Sequence, residues 1–240
     1  MALYRDQGVV LRTVKLGEAD RIITLLTQDH GKIRAVAKGV RRVKSRFGGR
    51  LEPFMRVDVL VAEGRSLDVV SQAMALSAYA AAICMDYDAY AAANVIVETV
   101  DKLISSEHEA AKEQYRLVIG ALHALSQHAH RPQTIGDSYV MRALALAGWT
   151  PWLTSCVVCG GADDLEYCSV RGGGMMCAKD RTPDAARFDD LARRQLSALV
   201  DGDWAFLDAF EMEERVRRFV EEWGEYYLER PIRSLQLLDS

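Results

Sequence analysis

Hydrophobic and polar residues follow two different periods along the chain, and the period changes at about residue 76. Before that point short runs alternate with period two, most clearly at 55–61, where valines occupy positions 57, 59 and 61. This alternation is typical of strands with one buried face. Similar apolar runs at 9–16, 22–26, 32–40 and 67–70 are separated by turn-forming residues. Five short strands in so short a segment predict a small closed barrel of the OB type, because closure removes exposed strand edges.

Beyond residue 76 apolar residues recur every three or four positions, which is the spacing of one helix face. The pattern predicts helices over 90–104, 115–125, 140–147, 191–199 and 212–227, and Gly148 is placed to end the third of them. The segment 151–183 breaks the pattern and contains four of the five cysteines. The predicted fold class is therefore α+β. We expect an N-terminal five-stranded OB-fold β-barrel (1–77), then an α-helical bundle (78–150 and 184–240) with an inserted zinc-ribbon-like segment (151–183).

Charged residues are distributed unevenly between the two regions. The whole chain has a formal net charge of −4, yet residues 1–75 hold 14 Lys and Arg against 8 Asp and Glu. The remainder holds 16 against 26. The sequence thus predicts a basic N-terminal module on an acidic body.

Eight basic side chains and no acidic one lie between positions 32 and 50. A surface of this kind attracts polyanions, and the phosphate backbone of nucleic acids is the commonest polyanion. The alternative is a solvated loop whose charge serves solubility. Phe47 lies inside the run, where it either stacks on bases or anchors the loop to the barrel. The predicted nucleic-acid-binding residues are Lys32, Arg34, Lys38, Arg41, Arg42, Lys44, Arg46, Arg50 and Phe47.

The N-terminus has neither the apolar region nor the cleavage site of a secretory signal. The most apolar stretch, 74–83, is too short to span a bilayer. We therefore expect a cytoplasmic, nucleoid-associated protein with no membrane contact. In a reducing compartment the five cysteines are expected to be free or metal-bound, not paired in disulfides.

Cys156 and Cys159 form a Cys-x2-Cys pair, which is typically half of a tetrahedral zinc site. Together with Cys177 and Asp180 they have the spacing of a zinc ribbon, with Asp180 in place of the usual fourth cysteine. We predict a structural Zn²⁺ on these four residues, bound more weakly than by four sulfurs because carboxylate is a less common zinc ligand. Two alternatives remain open: Cys168 as the fourth ligand, and a ribbon without metal.

Several strings, in their order and spacing, resemble the bacterial recombination mediator RecO family. They are 17–21 (GEADR), 37–42 (AKGVRR), 44–47 (KSRF), 51–54 (LEPF), the cysteine-glycine strings at 156–160 and 173–177, and 227–234 (YLERPIRS). The resemblance covers essentially the whole chain. It implies an N-terminal OB fold, a central helical bundle and a zinc-ribbon insertion. Asp180 departs from the zinc-binding members of the family, which bears on metal occupancy and not on the fold.

The resemblance also implies a function in DNA repair and recombination after DNA damage, without enzymatic activity. It implies binding of single- and double-stranded DNA, annealing of complementary strands, and help in loading the RecA recombinase onto SSB-coated DNA, with RecR and SSB as partners. Contact with the acidic, apolar C-terminal tail of SSB requires a pocket that combines apolar side chains with Lys or Arg. Lys102, Lys112 and Arg116 are candidates for these cations.

The alternatives to a DNA-binding mediator are a protein-interaction scaffold and a metal-dependent nuclease. The sequence has no Walker A loop, no His-Glu-x2-His and no Gly-x-Ser-x-Gly motif, and no cluster of Asp, Glu and His within one segment. A scaffold accounts for the acidic helical body but not for the basic barrel. Salt-dependent binding of single-stranded DNA separates the DNA binder from the scaffold, and turnover with Mg²⁺ identifies the nuclease.

Overall fold

The structure, a computed structural model, describes residues 2–238. Its N-terminal part is a closed barrel with strand order β1-β2-β3-β5-β4. All neighbouring strands are antiparallel except β3 and β5, which are parallel. The predicted OB-type barrel is confirmed. The strands are β1 (Leu3–Leu16), β2 (Asp20–Thr27), β3 (Gly31–Ala37), β4 (Arg56–Ala62) and β5 (Asp68–Ser77).

The first strand is longer than its apolar pattern predicts. Its N-terminal half pairs with β4 from Leu3 to Val9, and its C-terminal half pairs with β2 from Gly8 to Leu16. The register shifts between Val10 and Arg12, and an irregularity of this kind bends a strand so that it can serve two neighbours. The first half of the strand contains polar residues, so the pattern of alternating hydrophobic residues does not predict it.

The third strand ends earlier than predicted, at Ala37. Gly39 has a φ of +69°, a left-handed conformation that favours glycine, and it starts a turn. The fifth strand, predicted from the apolar residues at 67–70, extends to Ser77. The barrel interior is filled by side chains from all five strands, among them Val10, Ile23, Leu25, Ile33, Val57, Val59, Val61 and Val70.

The chain divides between Ala129 and His130 into two compact units. The first unit contains the barrel and three helices, α1 (Tyr79–Ile83), α2 (Tyr87–Leu103) and α3 (Lys112–Ser126). The side chain of Asp86 accepts hydrogen bonds from the N–H groups of Asp88 and Ala89, which caps the start of α2. The domain limits given above stay a prediction.

The second unit combines helices with a small sheet of order β7-β6-β8. Its first helix ends before Gly148, whose φ is +94°, as the sequence predicts. Phe188 follows β8 and packs edge-on against Phe219 of α7 at 5.6 Å between ring centroids. No helix within residues 2–238 is long and apolar enough to cross a membrane. The elements are α4 (Pro132–Leu146), β6 (Leu165–Ser169), β7 (Gly174–Cys177), β8 (Ala186–Arg187), α5 (Asp190–Asp201), α6 (Trp204–Ala209), α7 (Glu214–Leu228) and a 3-10 turn (Arg233–Leu237).

Candidate nucleic-acid interface and metal centre

Residues 38–55, which join β3 to β4, form a segment that we call the basic loop. Four of its apolar side chains face inwards: Val40, Phe47 and Leu51 belong to the buried barrel core, and Phe54 is also buried. A short 3-10 helix, Gly48–Leu51, lies within it. The basic loop is therefore anchored to the barrel at several points along its length.

The cationic side chains of the basic loop are exposed and have no acidic partner. Six Lys and Arg side chains lie between positions 38 and 50, and none has a carboxylate oxygen of residues 2–238 within 4.0 Å. Cations without counter-charges keep their attraction for external phosphate groups. These residues are Lys38, Arg41, Arg42, Lys44, Arg46 and Arg50.

The basic loop is hydrogen-bonded to the turn of the β1–β2 hairpin. The guanidinium of Arg41 donates to the backbone oxygen of Glu18 at 2.9 Å. The backbone N–H of Arg41 donates to the backbone oxygen of Ala19, also at 2.9 Å. The N–H of Gly39 donates to the carboxylate of Asp20 at 2.7 Å. The hairpin turn and the basic loop thus form one continuous surface, and Arg41 holds the two parts together.

Lys32 and Arg34 differ from the cations of the basic loop because both are paired with acidic residues, and their role in binding nucleic acid stays a prediction. Lys32 is only 9% exposed, and its ammonium group donates to the backbone oxygen of Asp101 at 2.7 Å. Arg34 is exposed but pairs with the carboxylate of Glu107 at 2.5 Å. Asp101 lies in α2 and Glu107 in the segment after it. The charges on β3 are therefore neutralised within the first unit.

Phe47 is buried, which favours its role as an anchor of the basic loop over stacking on bases. It is 1% exposed and packs in the barrel core. The guanidinium of Arg46 lies over its ring at 4.8 Å from the centroid. Phe47 is an anchor of the basic loop.

Two residues on this surface escaped the sequence analysis. Lys15 is exposed at the end of β1, next to the hairpin turn that Arg41 contacts. Val43 lies within the basic loop and is 105% exposed, the highest value among the large hydrophobic residues within 2–238. Lys15 was missed because it lies outside the run of basic residues. Val43 was missed because the sequence does not show whether a single valine between cations is exposed or buried.

The second candidate site is formed by Cys156, Cys159, Cys177 and Asp180. One ligand atom from each residue lies within 4.8 Å of the others. The Sγ atoms of Cys159 and Cys177 are 4.0 Å apart, and an Asp180 oxygen lies 3.2 Å from Cys177 Sγ and 3.8 Å from Cys156 Sγ. In a tetrahedral zinc site with bonds of ~2.3 Å, neighbouring sulfurs are ~3.8 Å apart. The residues fit a four-coordinate metal.

The local structure explains how four residues from two turns converge. Cys156 and Cys159 lie in one turn, which is closed by a hydrogen bond from Gly160 N–H to the oxygen of Cys156 at 2.9 Å. Cys177 ends β7 and Asp180 follows in the next turn, where its N–H donates to the oxygen of Cys177 at 3.2 Å. Each Cys-x2 turn therefore aims two ligand atoms at one point.

The thiols of the cluster already differ in their protonation. Burial raises the pKa of Cys156, but hydrogen bonds from the backbone N–H groups of Cys159, Cys177 and Val158 outweigh it and lower the pKa to about 7. The hydrogen bond to Asp180 raises the pKa of Cys159 to about 11. The pKa of Asp180 is lowered, chiefly by the hydrogen bonds from Cys159 and Cys177. A cation bound by this cluster would displace protons from its thiols.

Cys168 is not part of the cluster, so the structure favours Asp180 as the fourth ligand. Cys168 lies in β6 opposite Met175, is 2% exposed, and burial raises its pKa to about 12. A thiol of this kind packs as a small hydrophobic side chain. Within residues 2–238 the four-residue cluster is the only group of three or more His, Cys, Asp and Glu placed to hold a metal ion.

The three cations considered for a partner's acidic tail have different surroundings. Lys102 pairs with Glu98 and Lys112 with Asp29, at 2.5 and 2.8 Å. Arg116 of α3 is exposed and has no carboxylate within 4.0 Å in the described part of the chain.

The second unit contains a further cavity that the sequence analysis missed. Its volume is about 420 Å³, and it combines apolar and cationic lining. Asp184, Glu222 and Glu225 also line it. The hydroxyl of Ser169 donates a hydrogen bond to a carboxylate oxygen of Asp184 at 2.6 Å. The apolar and cationic lining includes Val170, Phe188, Phe219, Tyr226, Arg171 and Arg218.

Two family models match the chain, and together they cover the barrel, the helices α2 to α7 and the ribbon. The model for the N-terminal part of recombination protein O matches residues 1–79, and the model for its C-terminal part matches residues 84–236. The chain belongs to the recombination protein O (RecO) family, a family of DNA repair proteins.

Curated relatives agree over the full length. The chain is 68% identical over 240 residues to the DNA repair protein RecO of Bifidobacterium longum (strain DJO10A), covering 100% of both chains. It is 43% identical over 241 residues to the DNA repair protein RecO of Thermobifida fusca, covering 100% of this chain and 99% of the relative. It is 42% identical over 250 residues to that of Streptomyces griseus, covering 100% of both.

Proposed function

We propose that this protein is a recombination mediator that binds single- and double-stranded DNA through the basic loop and anneals complementary strands. The observation that carries the proposal is the set of exposed cations at 38–50 without carboxylate partners in the described chain. Counterion release from phosphates supplies affinity that is independent of base sequence. Family membership supports the role in DNA repair.

Annealing follows from charge neutralisation without a chemical step. Two complementary strands repel each other through their phosphates, and a cationic surface that holds both lowers the cost of their encounter. Binding must be weak enough for the strands to leave as a duplex. Exposed Lys and Arg on a loop suit this requirement, because their contacts are screened by salt and exchange rapidly.

The proposal includes a second contact, with the C-terminal tail of SSB, because SSB covers the bases that must pair. We place this contact at the cavity beside Phe219, where apolar and cationic side chains occur together, with Asp184, Glu222 and Glu225 also in its lining. Phe188 and Phe219 offer an apolar floor, and Arg171 and Arg218 lie at the same cavity. Lys102 and Lys112 are less suited, because each already pairs with a carboxylate. RecR and, indirectly, RecA complete the proposed set of partners.

We further propose that the cluster of Cys156, Cys159, Cys177 and Asp180 holds a structural Zn²⁺. The metal would link the turn before β6 to the turn after β7 and so stabilise the ribbon. All four positions are taken by protein ligands, so the site has no open position for a substrate.

Two alternatives are weaker. A protein-interaction scaffold leaves the unpaired cations of the basic loop without a role. A metal-dependent nuclease needs an acidic metal site, and within residues 2–238 the only ligand cluster is the cysteine-rich one.

An annealing assay with fluorescent complementary strands tests the proposal, with the strands either naked or coated with SSB. Replacing Arg42, Lys44 and Arg46 by Glu should abolish acceleration of both reactions, and Arg41 is left in place because it holds the hairpin turn. A matched control, in which Arg187, Arg194 and Arg230 of the second unit become Glu, changes the net charge equally and should anneal naked strands as the unaltered protein does. With SSB lacking its tail, only annealing of coated strands should slow. Equal annealing by the first variant and the unaltered protein would show that the basic loop is not the DNA surface.

A further inference from the structure

Val43 occupies an exposed turn of the basic loop, which we call its tip. The N–H of Ser45 donates to the oxygen of Arg42 at 2.9 Å, which closes a four-residue turn with Val43 and Lys44 at its centre. The preceding turn is closed in the same way, by Arg42 N–H and the oxygen of Gly39 at 3.1 Å. The tip is thus held in a defined shape with the Val43 side chain fully in solvent.

The exposure of Val43 contrasts with the rest of the basic loop. Val40 is 8% exposed, and Phe47, Leu51 and Phe54 are buried more deeply still. The loop therefore buries the apolar side chains that precede and follow Val43 and leaves this one outside. A single exposed valine is common on protein surfaces and has little effect on stability. Because Val43 lies between unpaired cations, it places an apolar side chain within a cationic surface.

The neighbours of Val43 define the chemistry of a ligand that fits the tip. Arg42 and Lys44 flank it and have no carboxylate within 4.0 Å among residues 2–238. A ligand that binds both the two cations and the apolar valine carries regularly spaced anions beside flat apolar faces. Single-stranded DNA has this combination, because its bases are free to leave the stack, whereas a duplex hides the faces of its bases.

Resting on the proposed function, we infer that Val43 contacts the bases of single-stranded DNA while Arg42 and Lys44 hold the adjacent phosphates. Val43 takes the role that the buried Phe47 cannot perform. A valine offers less contact area than an aromatic ring, so the base contact adds discrimination between strands and duplexes without slowing release. The contact is independent of base identity, since every base has an apolar face.

The test compares an oligothymidylate with an oligomer of the same length that has the deoxyribose-phosphate backbone but no bases. The unaltered protein should bind the oligothymidylate about threefold more tightly, and Val43→Ser should bind both oligomers equally. Val43→Trp should increase the ratio above that of the unaltered protein, a gain that misfolding cannot produce. Leu3→Ser is the control, since Leu3 is 61% exposed at the opposite end of β1 from the hairpin turn.

The outcomes separate this inference from the proposed function. If Val43→Ser keeps the ratio of the unaltered protein, the base contact is wrong while DNA binding by the basic loop stands. If the unaltered protein binds neither oligomer in a salt-dependent manner, the proposed function fails, and the inference fails with it.

Discussion

The ammonium group of Lys32 donates to two oxygens of Asp101, the backbone oxygen at 2.7 Å and a carboxylate oxygen at 3.3 Å. The guanidinium of Arg12 binds the other carboxylate oxygen at 2.7 Å. Asp101 of α2 thus joins β1 and β3 of the barrel, and Lys32, a cation within the basic run, is engaged in this internal contact.

Replacing Lys32 by Ala should lower the free energy of unfolding by about 1–3 kcal/mol, because Asp101 loses two of its hydrogen bonds near the protein interior. The dependence of DNA affinity on salt should not change. Lys44→Ala is the matched control, and it should change stability by less than about 0.5 kcal/mol while reducing the salt dependence. Urea unfolding and salt titrations measure both quantities. Reduced salt dependence for Lys32→Ala would return this residue to the DNA surface.

Phe47→Ala should lower the free energy of unfolding by about 3 kcal/mol, because it leaves a cavity in the barrel core. Phe47→Leu retains most of the volume and should cost less. In folded protein at low temperature, both variants should retain the salt dependence of DNA binding. A variant with unchanged stability and lost DNA affinity would mean that the ring contacts bases after all.

Cys156→Ser should remove zinc from the purified protein and destabilise the ribbon, while Cys168→Ala should retain it. Asp180→Cys should bind zinc more tightly than the natural sequence, since it completes a four-sulfur site. Elemental analysis and competition with a chromophoric chelator measure occupancy and affinity. Zinc loss in Cys168→Ala, with retention in Cys156→Ser, would overturn the ligand assignment.

Zinc affinity should rise with pH, because binding replaces protons on the thiols. The raised pKa of Cys159, about 11, means that its proton is still bound at neutral pH and must leave when the metal binds. Cys156, with a pKa of about 7, contributes a further proton only below about that pH. The lowered pKa of Asp180 means that it contributes none. A plot of log affinity against pH should therefore be steeper at about pH 6 than at about pH 8. An affinity independent of pH would contradict thiol ligation.

The sequence predicts most of the fold because both periods are strong. The valines at 57, 59 and 61 mark β4, and the spacing of three and four residues marks α2, α3 and α7. It misses the first half of β1, because polar residues such as Arg5 and Asp6 interrupt the apolar alternation there. Asp6 is nevertheless buried, and it accepts hydrogen bonds from the backbone N–H groups of Asp29 and His30.

The two candidate sites differ in how far the sequence predicts them. The metal cluster depends on local turns, so the Cys-x2-Cys and Cys-x2-Asp spacings identify all four residues. The basic run depends on distant contacts. Lys32 lies 69 residues from Asp101 and Arg34 lies 73 residues from Glu107, so charge along the chain could not reveal which cations are neutralised. Whether Phe47 faces inwards or outwards likewise depends on the barrel core.

The salt dependence of single-stranded DNA binding tests the central claim most directly. Arg42, Lys44 and Arg46 are the cations to reverse to Glu, because Arg41 also holds the hairpin turn. Removing three phosphate contacts should reduce the slope of log affinity against log salt by about 2 units. The control reversal of Arg187, Arg194 and Arg230 should leave the slope unchanged. A slope equal to that of the unaltered protein after reversal of the basic loop would contradict the account.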